Sequence, residues 1–313
     1  MKVLLTYNYG DEALKKIKSL GYEIILKEEK GLVYTDDLED VEVLVCYNPF
    51  DTLDISQMKS LKWIQLSSIG IDQLPKEELK DRHIIVTNNQ GGYSKPMGEW
   101  IVLSILEILK NKKAIYKNQE NKKWKMYKNL LELVDKKVLF LGTGTIAREG
   151  AKRLQGFECV IHGVNTSGHD ADYFDKVFET TQVNQIISDY DVVVSTLPKV
   201  EATQHFIDKD LMHLMKDDVI LVNVSRGEII DEMALVEALN NGKFLGVSLD
   251  VFKNEPLDES SKLWDFERVY ISSHNSWISE RRNERRLDTI LENMKRYSEN
   301  EPLINQKNVT KGY

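Results

Sequence analysis

The chain has 313 residues, of which 42% are hydrophobic and 29% are charged, a composition typical of a globular protein large enough for two domains. The formal net charge of -8 argues against the basic face of a nucleic-acid-binding protein, so no nucleic-acid partner is expected. The two cysteines, Cys46 and Cys159, cannot assemble a metal site, and no apolar run approaches the ~18 residues of a membrane span. We therefore expect a cytoplasmic protein with neither a metal nor a membrane partner.

The first third of the chain alternates strand-like and helix-like stretches. Short runs rich in β-branched and aromatic residues indicate strands at residues 3–7, 22–26, 41–47, 61–66 and 84–87. Between the first two runs, residues 11–20 have the spacing of a helix that ends at Gly21. Strands that alternate with helices predict a parallel sheet for this part of the chain.

A second series of alternating strands and helices follows a helical and then a polar segment in the middle of the chain. Residues 97–109 have helical spacing, and residues 111–133 are polar. Buried parallel strands are then indicated by the runs VLFLG, CVIHGV, DVVVSTLP, DVILVNVS, FLGVSLDVF and RVYISSH. Residues 278–298 predict a closing amphipathic helix. A solvated face of this helix is the interpretation for its basic run, Arg281, Arg282, Arg285 and Arg286.

A glycine turn follows the strand-like residues 138–141 and precedes the helical residues 148–155. The turn reads GTGTIA, with Gly142, Thr143 and Gly144 at its start. The first glycine permits a tight turn, the second lets the backbone approach a pyrophosphate, and the small Ala147 lets the helix pack on the sheet. Backbone N–H groups at the helix start can then bind phosphates, so this strand-turn-helix arrangement predicts a dinucleotide site.

The tip of the next strand-like run lacks the acidic residue that usually binds the ribose hydroxyls of NAD. The tip residues are Asn165, Thr166 and Ser167, which can donate hydrogen bonds to a 2'-phosphate and do not repel it. Asp170 and Asp172 could replace the carboxylate only if the loop folds back. We therefore expect NADPH to be preferred and NADH still to be used, and the preference to be modest because no arginine or lysine stands at the tip.

Three strand-like runs in the second half lead into residues that the reduction of a 2-oxo acid requires. These residues are Arg226, Glu255 and His274, and the carboxyl ends of parallel strands would bring them together. A protonated histidine can donate a proton to the carbonyl oxygen, and a glutamate beside it favours the imidazolium. An arginine can hold the carboxylate and polarise the carbonyl. Taken singly, Arg226 could form a surface ion pair, Glu255 could serve the turn before Pro256, and His274 could be a buried core histidine. The occurrence of all three in this order favours catalysis.

These segments resemble the motifs of the D-isomer-specific 2-hydroxyacid dehydrogenase family, in particular its glyoxylate/hydroxypyruvate reductases. NVSRGEIID resembles the arginine motif of the family, SLDVFKNEP its glutamate motif and SSHNSW its histidine motif. LSSIGIDQL resembles the loop that holds the substrate carboxylate, and the segment with Leu197 and Pro198 resembles the lining of the adenosine and nicotinamide ribose. The similarity spans nearly the whole chain.

The resemblance implies a role for each matching residue. Arg226, Glu255 and His274 would be catalytic. Thr145 and Ile146 would bind the pyrophosphate, and Asp250 would contact the nicotinamide carboxamide. Substrate-binding residues would be Tyr47, Ser68, Ile69, Gly70 and Arg226, the backbone of Ile69 and Gly70 holding the carboxylate. Trp277 either forms a wall of this pocket or lies buried under the last helix. The substrate would be a small 2-oxo or D-2-hydroxy acid, with glyoxylate and hydroxypyruvate implied by resemblance alone.

The predicted architecture is α/β, with two Rossmann-like or flavodoxin-like domains built on parallel sheets. Residues 1–96 plus 276–313 would form the substrate-binding domain and residues 97–275 the dinucleotide-binding domain, with the active site in the cleft between them. Trp124 and Tyr127 either anchor a partner subunit, as the matching segment does in the family, or cover their own domain. With the resemblance, we expect a homodimer. The alternative to an enzyme is a catalytically silent, NAD(H)-sensing protein of the same fold that acts like a corepressor.

Overall fold

A computed structural model describes residues 1–80 and 82–309, so the last four positions of the predicted substrate domain lie outside the described residues. The chain divides into two compact units: Met1–Tyr93 with Ser279–Tyr313, and Ser94–Ile278. Each boundary lies three residues from the predicted one. At the first boundary the reason is that the helix that opens the second unit begins at Ser94, before its apolar pattern becomes recognisable. The assignment of the two units to substrate and cofactor stays a prediction.

The regular elements follow one another as strands and helices along both units. The strands are β1 (Lys2–Leu5), β2 (Glu23–Leu26), β3 (Val41–Cys46), β4 (Trp63–Leu66), β5 (Ile85–Thr87), β6 (Lys137–Leu141), β7 (Val160–Asn165), β8 (Lys176–Glu179), β9 (Val192–Ser195), β10 (Val219–Asn223), β11 (Phe244–Leu249) and β12 (Val269–Ile271). The helices are α1 (Asp11–Ser19), α2 (Lys76–Leu79), α3 (Ser94–Leu109), α4 (Lys112–Glu120), α5 (Thr145–Leu154), α6 (Val183–Ile186), α7 (Lys209–Leu214), α8 (Glu232–Asn240) and α9 (Arg282–Ser298).

The first unit is built on a parallel sheet with the strand order β2-β1-β3-β4-β5. This is the flavodoxin-like order, in which ligands bind beyond the carboxyl ends of the strands. The closing helix α9 covers one face of the sheet, since its Ile290 and Met294 share an apolar cluster with Val3, Leu5 and Trp63. The loops that follow β1, β3 and β4 therefore lie at a single edge of a firmly packed sheet.

The second unit is built on a parallel sheet with the strand order β12-β11-β10-β9-β6-β7-β8. Strands β9 and β10 are buried along their whole length, as expected for a parallel sheet covered on both faces. The strand order reverses between β6 and β9, and such a switch point is where open α/β sheets bind their ligands. The predicted fold of two parallel-sheet α/β domains is confirmed.

No helix within the described residues is both long and apolar enough to cross a membrane. In the same part of the chain, no group of three or more His, Cys, Asp or Glu side chains is arranged to hold a metal ion.

Candidate active site

The glycine turn between β6 and α5 has the shape that a pyrophosphate requires. Gly142 has a φ of 98°, and a Cβ atom there would lie 2.8 Å from Oγ1 of Thr196, so this position demands glycine. Gly144 precedes the first residue of α5 and would leave a Cβ atom in open space. In the described structure no side chain caps the start of α5, so its first N–H groups are available to an anion. These residues fit the diphosphate of a dinucleotide.

Asn165, the last residue of β7, links the tip of this strand to the glycine turn by a hydrogen bond. Its Nδ2 donates to Oγ1 of Thr143 at 3.0 Å and to the carbonyl of His169 at 2.8 Å, and its Oδ1 accepts from the Ser167 N–H at 3.2 Å. Thr166 and Ser167 are exposed, and the Ser167 hydroxyl contacts Nδ1 of His169 at 2.9 Å. The amide thus shapes a polar, exposed tip rather than standing as a free donor.

A cation that the sequence did not predict lies beside this tip. Arg148, in α5, donates from Nε to the Thr143 carbonyl at 3.1 Å, and Thr143 is the residue that Asn165 contacts. Its Nη1 also lies 3.8 Å from the Asp172 carboxylate. Asp172, one of the two acids that could have replaced the missing carboxylate, therefore pairs with an arginine. The signal was present in the sequence as a basic residue four positions after Gly144, but only the fold places it at the turn.

His274 and Glu255 form the hydrogen-bonded pair that the sequence predicted. Nδ1 of His274 lies 2.8 Å from Oε2 of Glu255, and the two side chains are 39% and 36% exposed. A carboxylate only accepts hydrogen bonds, so Nδ1 is the donor and Nε2 is left to face a reactant. The other oxygen of Glu255, Oε1, accepts from the Phe252 N–H at 2.9 Å, which fixes the carboxylate in place.

Asp250 holds the loop that carries His274. The aspartate is 1% exposed, and its Oδ1 accepts from the Ser272 hydroxyl at 2.6 Å and the Asn275 N–H at 2.8 Å. Its Oδ2 accepts from the Ser276 N–H at 3.0 Å, and its carbonyl accepts from the His274 N–H at 2.8 Å. His274 has a φ of 53°, an uncommon left-handed conformation that these contacts on both sides maintain. Its predicted contact with a nicotinamide carboxamide stays a prediction.

Arg226 follows β10 in a loop that is packed tightly against the glutamate segment. Its carbonyl accepts from Nδ2 of the buried Asn223 at 3.0 Å, and its half-buried guanidinium donates to the Ser225 carbonyl at 2.9 Å. A Cβ atom on the next residue, Gly227, would lie 1.9 Å from the carbonyl carbon of Phe252. The arginine and glutamate loops therefore touch backbone to backbone, and they follow neighbouring strands of the same sheet edge.

The predicted carboxylate loop of the first unit follows β4 and is held by side chains around it. The Ser68 hydroxyl donates to the Gly70 carbonyl at 2.8 Å, and Nε2 of Gln73 donates to that hydroxyl at 2.7 Å and to the Tyr47 carbonyl at 3.0 Å. Asn88 donates to the Ile69 carbonyl. With their carbonyls engaged, the loop residues are fixed in orientation, and Tyr47 is 58% exposed at the same edge of the sheet.

The basic run at the start of α9 departs from the predicted solvated face. Arg281 conforms to the prediction, with a side chain that is 57% exposed and paired with Glu284. Arg286 instead is half-buried, and its Nε donates to the Tyr93 hydroxyl at 2.7 Å. Residues 281, 282, 285 and 286 span only about 140° around a helix, so their spacing by itself allows a single solvated face. Arg286 departs from that face because its guanidinium reaches Tyr93, a partner that the spacing does not reveal.

Comparison with known proteins places the chain in a family. Residues 102–276, more than half of the chain, match the model of the D-isomer specific 2-hydroxyacid dehydrogenase NAD-binding domain. The chain belongs to the D-isomer specific 2-hydroxyacid dehydrogenase family. It is accordingly an NAD(P)-dependent D-2-hydroxyacid dehydrogenase, and the glycine turn, Arg226, Glu255 and His274 all lie within the matched residues.

Three proteins from different organisms illustrate what this dehydrogenase is similar to. The chain is 30% identical to a glyoxylate reductase from Thermofilum pendens over 246 residues, which cover 76% of this chain and 73% of that protein. It is 27% identical to a glyoxylate/hydroxypyruvate reductase from Arabidopsis thaliana over 256 residues, 80% of this chain and 77% of that one. An NADPH-dependent glyoxylate/hydroxypyruvate reductase from Sinorhizobium meliloti, solved with NADP and sulfate, has the same fold, with a TM-score of 0.81, 20% identity and coverage of 100% and 99%.

Within the second unit of this dehydrogenase, the predicted residues gather at one sheet edge. Leu197 and Pro198 follow β9, beside the glycine turn that follows β6, and Trp277 lies half-buried three residues after His274. Both interpretations of Trp277 stay open. Tyr47, Ser68, Ile69 and Gly70 form a separate group in the first unit. The predicted location of the active site between the two domains stays a prediction.

Proposed function

We propose that the protein reduces a small 2-oxo acid to the D-2-hydroxy acid with NAD(P)H, with His274 as the proton donor. The observation that carries the proposal is the 2.8 Å contact between His274 Nδ1 and Glu255 Oε2 at the carboxyl edge of the second sheet. A histidine paired in this way is suited to general acid catalysis, because its Nε2 proton points away from its carboxylate partner. The glycine turn at the same edge supplies the matching dinucleotide site.

The three catalytic side chains have different tasks in this reaction. The nicotinamide, when bound, supplies the hydride that the carbonyl carbon accepts. Negative charge then develops on the carbonyl oxygen, and His274 transfers its Nε2 proton to that oxygen. Glu255 stabilises the imidazolium before the transfer, and Arg226 binds the substrate carboxylate and polarises the carbonyl. The fixed N–H groups of Ile69 and Gly70 would hold the same carboxylate.

The proposal is tested by following the loss of reduced nicotinamide absorbance with a panel of 2-oxo acids. Glyoxylate, hydroxypyruvate and pyruvate are offered with NADPH and with NADH, and the handedness of each chiral product is assigned. Saturable turnover to D products is expected. Tight binding of NADPH without turnover of any 2-oxo acid would instead support the sensor alternative and overturn the enzyme.

We also propose that NADPH is the preferred cofactor. The exposed tip carries hydroxyls and no carboxylate, and Arg148 lies against the Thr143 carbonyl beside it. A 2'-phosphate at this tip would meet hydrogen-bond donors and one positive charge. Because Arg148 is also near Asp172, its attraction is partly offset. A modest preference that weakens with added salt follows.

Asn165→Asp is expected to shift the preference toward NADH. The aspartate keeps the acceptor for the Ser167 N–H, loses both donors of the amide and places a negative charge where the 2'-phosphate would lie. The measurement is kcat/KM for both cofactors in the wild type and the variant. Asn165→Ser is the control, since it disturbs the same contacts without adding charge. A serine variant with the same shift would mean that loop geometry, and not charge, sets the preference.

We propose that the protein is a two-fold dimer through the segment that follows α4. Trp124 is 102% exposed and Met126 is 77% exposed in the single chain. Large apolar side chains of this kind are typical of interface cores, where a partner subunit would cover them. The resemblance of this segment to the subunit arm of the family supports the same assignment.

Met126→Glu is expected to shift the protein from dimer toward monomer at micromolar concentration, because the carboxylate would be buried without a partner. Light scattering should give about twice the chain mass of 36.2 kDa for the wild type and a lower mass for the variant. Met233→Glu is the matched control, since Met233 is 83% exposed elsewhere in the same unit. A fully active wild-type monomer would contradict the proposal.

A further inference from the structure

Arg286 occupies an unusual position for a cation on a charged helix. It is half-buried at the carboxyl edge of the first sheet, with its guanidinium carbon 5.6 Å from the centre of the Tyr93 ring and 6.0 Å from the centre of the Tyr7 ring. Tyr9 is a further electrostatic neighbour. Arg281, just before α9, pairs with Glu284, and Arg296, in its last turn, pairs with Glu292. Among the residues that the structure describes, Arg286 forms no ion pair with a carboxylate.

The tyrosines around Arg286 do not neutralise its charge. Burial raises the pKa of Tyr9 and of Tyr93 above the ordinary value, although the neighbouring Arg286 lowers both. Both phenols are therefore neutral near pH 7, and they solvate the guanidinium without balancing it. Partial burial of an unbalanced charge is costly, and an anion that binds there recovers that cost. The planar guanidinium carries five N–H donors that match a carboxylate or a phosphate.

Arg286 is also connected directly to the predicted carboxylate loop. Its Nε donates to the Tyr93 hydroxyl at 2.7 Å, and that hydroxyl donates to the carbonyl of Ser67, the residue before Ser68. Two hydrogen bonds thus separate the guanidinium from the loop whose N–H groups would hold the 2-oxo acid carboxylate. Tyr7 and Tyr47, which are 46% and 58% exposed, leave the same edge of the unit accessible.

We propose that Arg286 selects 2-oxo acids that carry a second anionic group, a carboxylate or a phosphate, at the end remote from the 2-oxo acid carboxylate. This inference rests on the proposed function, because it concerns the substrate of the same reaction. The Ser68–Gly70 loop binds the first carboxylate, and Arg286 binds the second anion through donors that neither Tyr93 nor Tyr9 uses. The Tyr93 hydroxyl sets the position of the guanidinium relative to the loop.

The test compares substrates that differ only in the remote group. Oxaloacetate is paired with 2-oxobutanoate, which has a methyl group in place of the second carboxylate, and phosphohydroxypyruvate is paired with hydroxypyruvate. Arg286→Met keeps the bulk of the side chain and removes the charge, whereas Arg286→Lys keeps the charge. Arg281→Met is the matched control at the residue that precedes α9, since Arg281 is exposed and paired with Glu284.

The wild type should favour the anionic member of at least one pair, and the pair identifies the remote group as carboxylate or phosphate. Arg286→Met should lower kcat/KM for that member by roughly 10- to 100-fold, mainly through KM, as expected for a lost charged hydrogen bond. Its neutral partner should change little, and Arg286→Lys should restore part of the preference. An equal loss for both members would mean that Arg286 only braces the loop, and no preference in the wild type would also overturn the inference.

Glyoxylate separates this inference from the proposed function. The wild type could turn over glyoxylate while Arg286→Met leaves the ratio of kcat/KM for the anionic and neutral member unchanged in both substrate pairs. This result would overturn the selection of a second anion and leave the dehydrogenase reaction intact. No turnover of any 2-oxo acid would overturn both.

Discussion

Replacing His274 by asparagine is expected to lower kcat for reduction by roughly 10²–10⁴-fold, the usual contribution of a general acid. Asparagine is the best replacement because it tolerates the left-handed conformation that His274 adopts, with a φ of 53°. The backbone contacts to Asp250 should therefore persist, and the KM for NADPH should change little. Glu255→Gln, which keeps the shape but removes the charge beside Nδ1, should lower kcat less.

His205→Asn is the matched control, because His205 has the same left-handed conformation, with a φ of 50°, in the same unit. The pH profile gives a second measurement. Reduction consumes the proton that His274 supplies, so its rate should fall as pH rises. Oxidation of the hydroxy acid needs the neutral imidazole and should show the opposite trend. Normal turnover in His274→Asn, or one pH trend for both directions, would remove His274 from the mechanism.

Gly227→Ala is expected to destroy most of the activity and to destabilise the second unit. The added methyl carbon would lie 1.9 Å from the carbonyl carbon of Phe252 and 2.2 Å from the Lys253 nitrogen, so one of two backbone segments has to move. Overpacking of this kind costs about 1–3 kcal/mol of the free energy of unfolding. The displaced segments carry Arg226 and Glu255, and a shift of about 1 Å in catalytic groups can cost ~10²-fold in rate.

Thermal unfolding and kcat/KM measure the two effects separately. Gly156→Ala is the control, since a Cβ atom at Gly156 meets nothing within 4 Å. If Gly227→Ala unfolds too readily to assay, the midpoint of unfolding alone still tests the clash. An alanine variant as stable and active as Gly156→Ala would show that the two loops are not in contact.

The elements that the sequence predicted are those with strong apolar patterns. Strands β9 and β10 are continuous β-branched runs, and each carries its pattern in full because both faces are buried. Strand β8, which we did not predict, lies at the sheet edge, and its four residues begin with Lys176 and end with Glu179, both exposed. Helix α4 also escaped prediction, since none of its described side chains is buried and no apolar stripe marks it.

The residues of the candidate site also fall into those that the sequence predicted and those that it did not. His274, Glu255 and Gly142 were predictable because each needs a particular residue type next to a recognisable strand. Arg148 and Arg286 were not, because their roles depend on neighbours distant in the sequence. Arg148 meets a turn that Asn165 also contacts, and Arg286 meets Tyr93, which is 193 positions away. An arginine gives no local signal of whether it faces water or a buried partner.

The first unit is made from two segments separated by the whole of the second unit. Residues 94–278 form one continuous segment with its own sheet, so this unit can fold without Ile290 and Met294. Until those two side chains arrive, the apolar face that includes Val3, Leu5 and Trp63 lacks its cover. The first unit therefore stays open until its two segments, which lie on either side of the second unit in the sequence, meet, and its uncovered apolar face is prone to aggregation until then.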